Sequence, residues 1–222
     1  MLRIGGSTAL VLFPLMFMGV FALHIDDPAE IFQLKLQHDP YLATEIMDGL
    51  RDRPRAQRYY VLPHFLGYLS MPVLIAAALS LGWILHRARP GWAIIGATMA
   101  TAGAVFMAGM LSMWLGFAAI GNVPAGQVPG ATAALEALIE MRGPLLWATI
   151  LTGLSLLGLM VLAIGLYISD LVPKWSALAI FVGCVIMSAF IDVDNLMFLG
   201  AFLTFCGMAR IARMLFNREI GV

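Results

Sequence analysis

WAIIGATMATAGAVFMAGMLSMWLGFAAI, residues Trp92–Ile120, runs for 29 residues without an Asp, Glu, Lys, Arg or His. A helix needs about 20 residues to cross a hydrocarbon core about 30 Å thick, so the stretch is long enough to span a bilayer. Within it Gly96, Ala100, Ala104, Ala108, Ser112 and Gly116 recur every four residues. In lipid, small side chains on one helix face let backbones approach closely, and dispersion and shape drive the association. The stretch therefore predicts a membrane-spanning helix that serves as the central packing element of a bundle. The alternative use of such a ridge is self-association.

Five further apolar runs flank it, at about Ser7–Leu23, Val61–Leu85, Leu145–Ile168, Trp175–Ile191 and Leu196–Leu215. Hydrophobic residues make up 61% of the chain and charged residues 12%, whereas a soluble domain is about 25% charged. The mean hydropathy of +0.91 agrees. The expectation is an all-α polytopic membrane protein forming a single domain over residues 1–222, with six transmembrane helices and short amphipathic surface helices on one face. Arg3 followed by an apolar run resembles a signal peptide, but the run is longer than the usual 7–15 residues and no small-x-small cleavage site follows. It reads as a retained span. Pro14 and Pro72 fall inside spans and should kink them.

The one long polar excursion is His24–Tyr60, which holds 12 of the charged residues. Asp27-Pro28 and Asp39-Pro40 pair an N-cap carboxylate with a proline at the first helical position, where its missing N–H costs nothing. Two short helices are expected, the first presenting Ile31, Leu34 and Phe32, the second presenting Leu42 and Ile46 with Gly49 as its stop. A third, ATAALEALIEMR, sets Leu135, Leu138 and Ile139 against Glu136 and Glu140. All three belong to one face, which they would cap. The other face has tight basic connections.

Six spans put both termini on one face with Arg3, Arg87, Arg89, Lys174, Arg210, Arg213 and Arg218. The opposite face carries Lys35, Arg51, Arg53, Arg55, Arg58 and Arg142. Counting Lys and Arg alone favours cytoplasmic termini in a bacterial cytoplasmic membrane. Cys184 and Cys206 sit at different depths of their spans and are expected to be free thiols. A net charge of zero gives no reason to invoke nucleic acid.

Several local features resemble an uncharacterised family of bacterial six-span membrane proteins known only as a domain of unknown function. They are Tyr41-Leu42-Ala43-Thr44, the span end Leu85-His86-Arg87-Ala88-Arg89, and Leu171-Val172-Pro173-Lys174-Trp175 at the fifth span. The resemblance implies the six-helix architecture. It implies no mechanism, and the His64 region and the Asp192–Asn195 turn are not among the family's features.

The best chemical constellation lies at the span ends away from the termini. His24, Asp26 and Asp27 follow the first span, His64 opens the second, and Asp192, Asp194 and Asn195 turn between the fifth and sixth. Histidines and carboxylates in one layer suit a divalent cation, with the second imidazole nitrogen held by a further acceptor. The plainer account is an ordinary water interface with Asp-x-Asp-Asn as turn chemistry. A haem would take His24 and His64 as axial ligands, although both lie at span ends. Met107, Met110 and Met113 could offer soft thioethers to Cu(I), or simply fill irregular packing. Arg53, Arg55 and Arg58 with Tyr59 and Tyr60 suit lipid headgroups, or a solvated loop with internal ion pairs.

Between the interfaces the spans hold no Asp, Glu, Lys or Arg, whereas coupled transporters generally need such groups near the midplane. No Gly-x-Ser-x-Gly is present, and no cofactor is required by the sequence. The sequence thus points to a binding protein for a lipid, a hydrophobic ligand or a membrane-protein partner, including a second copy of itself. A metal or haem protein with its site at the outer helix ends, and a structural accessory subunit, are the competing classes.

Overall fold

The computed structural model describes residues 2–25, 43–140, 143–190 and 193–220. Among the described residues there are helices and no strands. In chain order they are α1 (Leu2–His24), α2 (Ala43–Arg51), the single turn α3 (Arg53–Arg55), α4 (Leu62–His86), α5 (Pro90–Ile120), α6 (Val128–Ile139), α7 (Pro144–Thr152), α8 (Leu154–Ser169), α9 (Lys174–Ala189) and α10 (Asp194–Phe216). A π-helical segment, Ala56–Val61, joins α3 to α4.

Proline opens several of these helices. It stands in the first turn of α4, α5, α6 and α7, where no N–H is needed. The turn into α7 places Gly143 at φ 64°, a conformation that glycine adopts without steric cost. α8 ends at Asp170 in the left-handed region, and the Asp170 carboxylate pairs with Lys174 at 3.2 Å as α9 begins. The helices containing Pro14 and Pro72 continue through both residues. The expected span Leu145–Ile168 is divided at Gly153 into α7 and α8.

Five helical stretches are long and apolar enough to cross a bilayer: Arg3–His24, Arg53–His86, Pro90–Ile120, Pro144–Ser169 and Asp194–Phe216. The chain is an integral membrane protein. The sixth expected span is the apolar α9 of 16 residues, about 24 Å at 1.5 Å per residue.

The six long elements close into a ring in the order α1, α4, α5, α8, α9, α10, with α10 returning to α1. Inside it Leu10, Phe13, Leu81, Leu159, Leu162 and Ile180 are fully or almost fully buried. Two crossings are glycine-lined. A Cβ on Gly158 of α8 would strike the Ala100 backbone nitrogen of α5, and one on Gly103 would strike the Ser155 nitrogen. On α9 and α10, Gly183 lies against Gly200 and Thr204, and Gly207 against the Ser176 carbonyl. The four-residue ridge is thus used over part of its length. Gly96, Ala100 and Ala104 are buried, Ala108 packs at the core edge, and Ser112 and Gly116 are exposed. Gly103, outside the ridge, makes one of the closest approaches.

A second, smaller core sits at one end, where Ile46, Met47 and Leu50 of α2 meet Leu135 of α6 and Phe117 of α5. Ile46 and Leu135 therefore face inward as their spacing predicted. Gly49 is no stop, because α2 continues to Arg51 and Gly49 lies against the Tyr60 ring. The first expected surface helix and the Asp39-Pro40 start lie outside the described residues.

Candidate functional site

The histidine end is assembled from the ends of four helices. α1 stops at His24, α4 starts two residues before His64, α10 starts at Asp194, and Trp114 comes from the last two turns of α5. Pro63 shapes the turn that receives them. It lies in the first turn of α4, directly after the π-helical segment that carries Tyr59 and Tyr60. The His24 Nε2–H donates to the Tyr59 carbonyl at 3.1 Å. His64 Nδ1–H donates to the Tyr60 carbonyl at 2.8 Å.

A carbonyl oxygen only accepts, so these two bonds fix which ring nitrogen carries hydrogen. In the neutral rings the lone pairs sit on His24 Nδ1 and His64 Nε2. His24 Nδ1 is buried without a hydrogen-bond partner and lies 3.6 Å from Asp194 Oδ1. That separation is too long for a direct hydrogen bond but short enough for strong electrostatic contact. α1 presents its C-terminus to this gap and α10 its N-terminus. A doubly protonated His24 would donate across the gap. A neutral His24 would leave two acceptors facing each other and require a third atom between them.

The imidazoles of His24 and His64 meet edge to face with centroids 5.8 Å apart. His64 stacks on Trp114 at 5.3 Å, and Trp114 meets Phe117 edge-on at 4.9 Å. The aromatic chain thereby ties the histidines to the second core. Arg58 donates to the Ile25 carbonyl at 3.5 Å and lies 5.3 Å over the Tyr59 ring, bracing the end of α1 against the π-helical segment.

His24, His64 and Asp194 therefore come together. Asn195 is buried beside Asp194, its Oδ1 accepting from the Leu196 N–H at 2.9 Å. Asp26, Asp27 and Asp192 lie outside the described residues. Among the described residues no three His, Cys, Asp or Glu side chains are grouped closely enough to hold a metal ion. Axial ligation of a haem through His24 Nε2 would cost its bond to Tyr59. Met107 packs on the main core, Met113 on the second, and Met110 is buried with its sulfur 3.8 Å from the Thr149 hydroxyl. Arg53, Arg55 and Arg58 are exposed, whereas the Tyr60 ring turns in against α2. Cys184 and Cys206 are both free.

Trp114 and the two tyrosine carbonyls are the parts that sequence reasoning missed. No signal linked Trp114 to a histidine 50 positions earlier.

No protein-family model, curated protein or solved structure matches the chain.

Proposed function

We propose that the chain is a six-span protein of a bacterial cytoplasmic membrane, with cytoplasmic termini, that binds a ligand at its histidine end instead of transforming one. The observation that carries this reading is the buried, unpartnered Nδ1 of His24 facing Asp194. An unsatisfied buried acceptor costs about 1–3 kcal/mol, and a ligand hydroxyl, amine or amide inserted there recovers it. The stacked His64 and Trp114 rings supply an apolar wall for the body of a membrane-soluble molecule. α2 and α6 are the surface helices over this end, and exposed Arg53, Arg55 and Arg58 meet headgroups there.

Two further points support the sixth span. α9 contacts α8 on one side and α10 on the other as a full member of the ring, and three of its turns are zipped to α10 by glycines. In a Cys184→Ala/Cys206→Ala background, a membrane-impermeant thiol reagent should reach Asp170→Cys and Asp194→Cys from opposite sides. Labelling of both from the same side would reject the crossing.

Native mass spectrometry of protein released in mild detergent tests the ligand. The expected result is a small-molecule adduct on the wild type that His24→Ala loses. A bare monomer, or an adduct indifferent to His24→Ala, refutes it. A second reading is a divalent cation held between His24 Nδ1 and Asp194 Oδ1. Stoichiometric metal in the wild type, absent from His24→Ala and Asp194→Asn, would select a cation in that gap. A co-purifying protein mass would select the accessory-subunit class.

A further inference from the structure

The opposite end of α1 and α10 carries a different site. Ser7, Thr8, Val11, Leu12 and Leu15 of α1 and Ala209, Ala212, Arg213 and Phe216 of α10 line an open groove of about 490 Å³. That volume falls within the range of about 300–1,000 Å³ typical of small-molecule sites. Its walls are almost wholly apolar, and Leu12, Leu15 and Phe216 are 42%, 42% and 63% exposed, so the groove opens outward from the bundle.

The polar groups around it are arranged asymmetrically. The Ser7 and Thr8 hydroxyls donate to the Arg3 and Ile4 carbonyls of their own helix at 2.8 and 2.9 Å, so neither hydroxyl proton is turned outward. Glu219, the acid of this end, accepts from Asn217 at 3.1 Å and lies 4.0 Å from Arg210. Arg213 is exposed, lines the groove and makes no ion pair among the described residues. One end of an apolar channel thus presents a guanidinium, whose planar donors match phosphate oxygens.

We propose that this groove is a specific site for one anionic glycerophospholipid, with its phosphate on Arg213 and an acyl chain along Val11, Leu12, Leu15 and Phe216. Charge complementarity and an outward-facing apolar channel on two membrane-crossing helices carry the assignment. It is independent of the histidine end, which lies at the other terminus of both helices.

Native mass spectrometry of the full chain in mild detergent, titrated with phosphatidylglycerol, phosphatidylcholine or inorganic phosphate, tests it. Phosphatidylglycerol should form a one-to-one complex about fivefold tighter than phosphatidylcholine, the preference expected of one cation near the membrane surface. Arg213→Gln should erase that preference, and Arg213→Lys should keep most of it. Thr8→Trp, at an exposed position on the groove wall, should weaken both lipids while leaving the helical circular dichroism unchanged. Equal affinity for the two lipids in the wild type, or a preference that survives Arg213→Gln, overturns the proposal. So does inorganic phosphate binding as tightly as phosphatidylglycerol.

Discussion

Gly158→Ala should destabilise the protein, while the same substitution at Gly109 should not. A Cβ at Gly158 would stand 2.6 Å from the Gly96 carbonyl oxygen and 2.7 Å from the Ala100 Cα, and nearer still to the Ala100 nitrogen. Carbon atoms pack at about 3.5–4.0 Å, so α5 and α8 must part by roughly 1 Å. The atoms met are backbone, which no rotamer change can move aside. Overpacking of this kind costs about 1–3 kcal/mol, partly offset by the ~0.8–1.0 kcal/mol that alanine gains over glycine in a helix. Because the obstacle is backbone the cost lies at the upper end of that range, and the expected net loss is about 2 kcal/mol. At Gly109 nothing lies within 4 Å of the added atom, so only the gain of about 0.5–1 kcal/mol remains. Reversible unfolding in mixed SDS micelles, followed by circular dichroism and tryptophan fluorescence, measures both. The packing scheme is refuted if Gly158→Ala is as stable as the wild type, or if the two variants shift in the same direction.

Gly207→Ala should behave like Gly158→Ala, because its Cβ would meet the Ser176 carbonyl; a neutral result would mean that α9 and α10 cross less closely. Leu135, fully buried in the second core, should lose about 2–5 kcal/mol on truncation to alanine. The damage should be local, read as faster tryptic cleavage at Arg51 and Arg55 with unchanged SDS unfolding; loss of global stability would show that the two cores are one. A double-mutant cycle of His24→Ala and Asp194→Asn should return a coupling of about 0.5–1 kcal/mol for this part-exposed pair, and zero coupling would remove it as a link between α1 and α10. Leu15, the groove residue nearest the histidine end along α1, is about 14 Å from His24 at 1.5 Å per residue, so His24→Ala should leave the phosphatidylglycerol preference unaltered.

Helix content and the polarity of each end were legible because they rest on uninterrupted apolar length and on where charge stops. Trp92–Ile120 needed no other information to be read as a spanning helix. The inward faces of the two small helices were legible too, since Ile46 and Leu135 follow helical spacing. What could not be read was which small residue meets which backbone. The four-residue ridge on α5 correctly marked Gly96, Ala100 and Ala104, but it ran on to Ser112 and Gly116, which meet no neighbour, and it passed over Gly103. A periodicity describes one helix, whereas close approach depends on where a second helix crosses it. The split at Gly153 belongs to the same class, since an apolar run carries no mark of a change in helix direction. At the site, the layer containing His24, His64 and Asp194 was legible from span ends alone. Their contacts were not, because the rings are held by main-chain carbonyls that have no signature in side-chain sequence.

The distribution of hydrogen bonds underlies the proposal that recognition belongs at the two ends. Ser70, Thr149 and Thr204 donate to carbonyls of their own helices, three or four residues back, and Ser155 of α8 donates to the carbonyl of Thr152, the last residue of α7. Most of this polarity is spent close by, although Thr149 also reaches the Met110 sulfur of α5 at 3.8 Å and the Thr101 and Ser176 hydroxyls are buried without a hydrogen-bond partner. At the ends the opposite holds. The Tyr59 carbonyl of the π-helical segment accepts from a histidine of another helix, and the second nitrogen of that ring faces Asp194. At the far end Glu219 is engaged with Arg210 and Asn217, and Arg213 lines an apolar channel. Each end therefore offers a polar atom whose partner must come from outside its own helix, and α1 and α10 contribute to both.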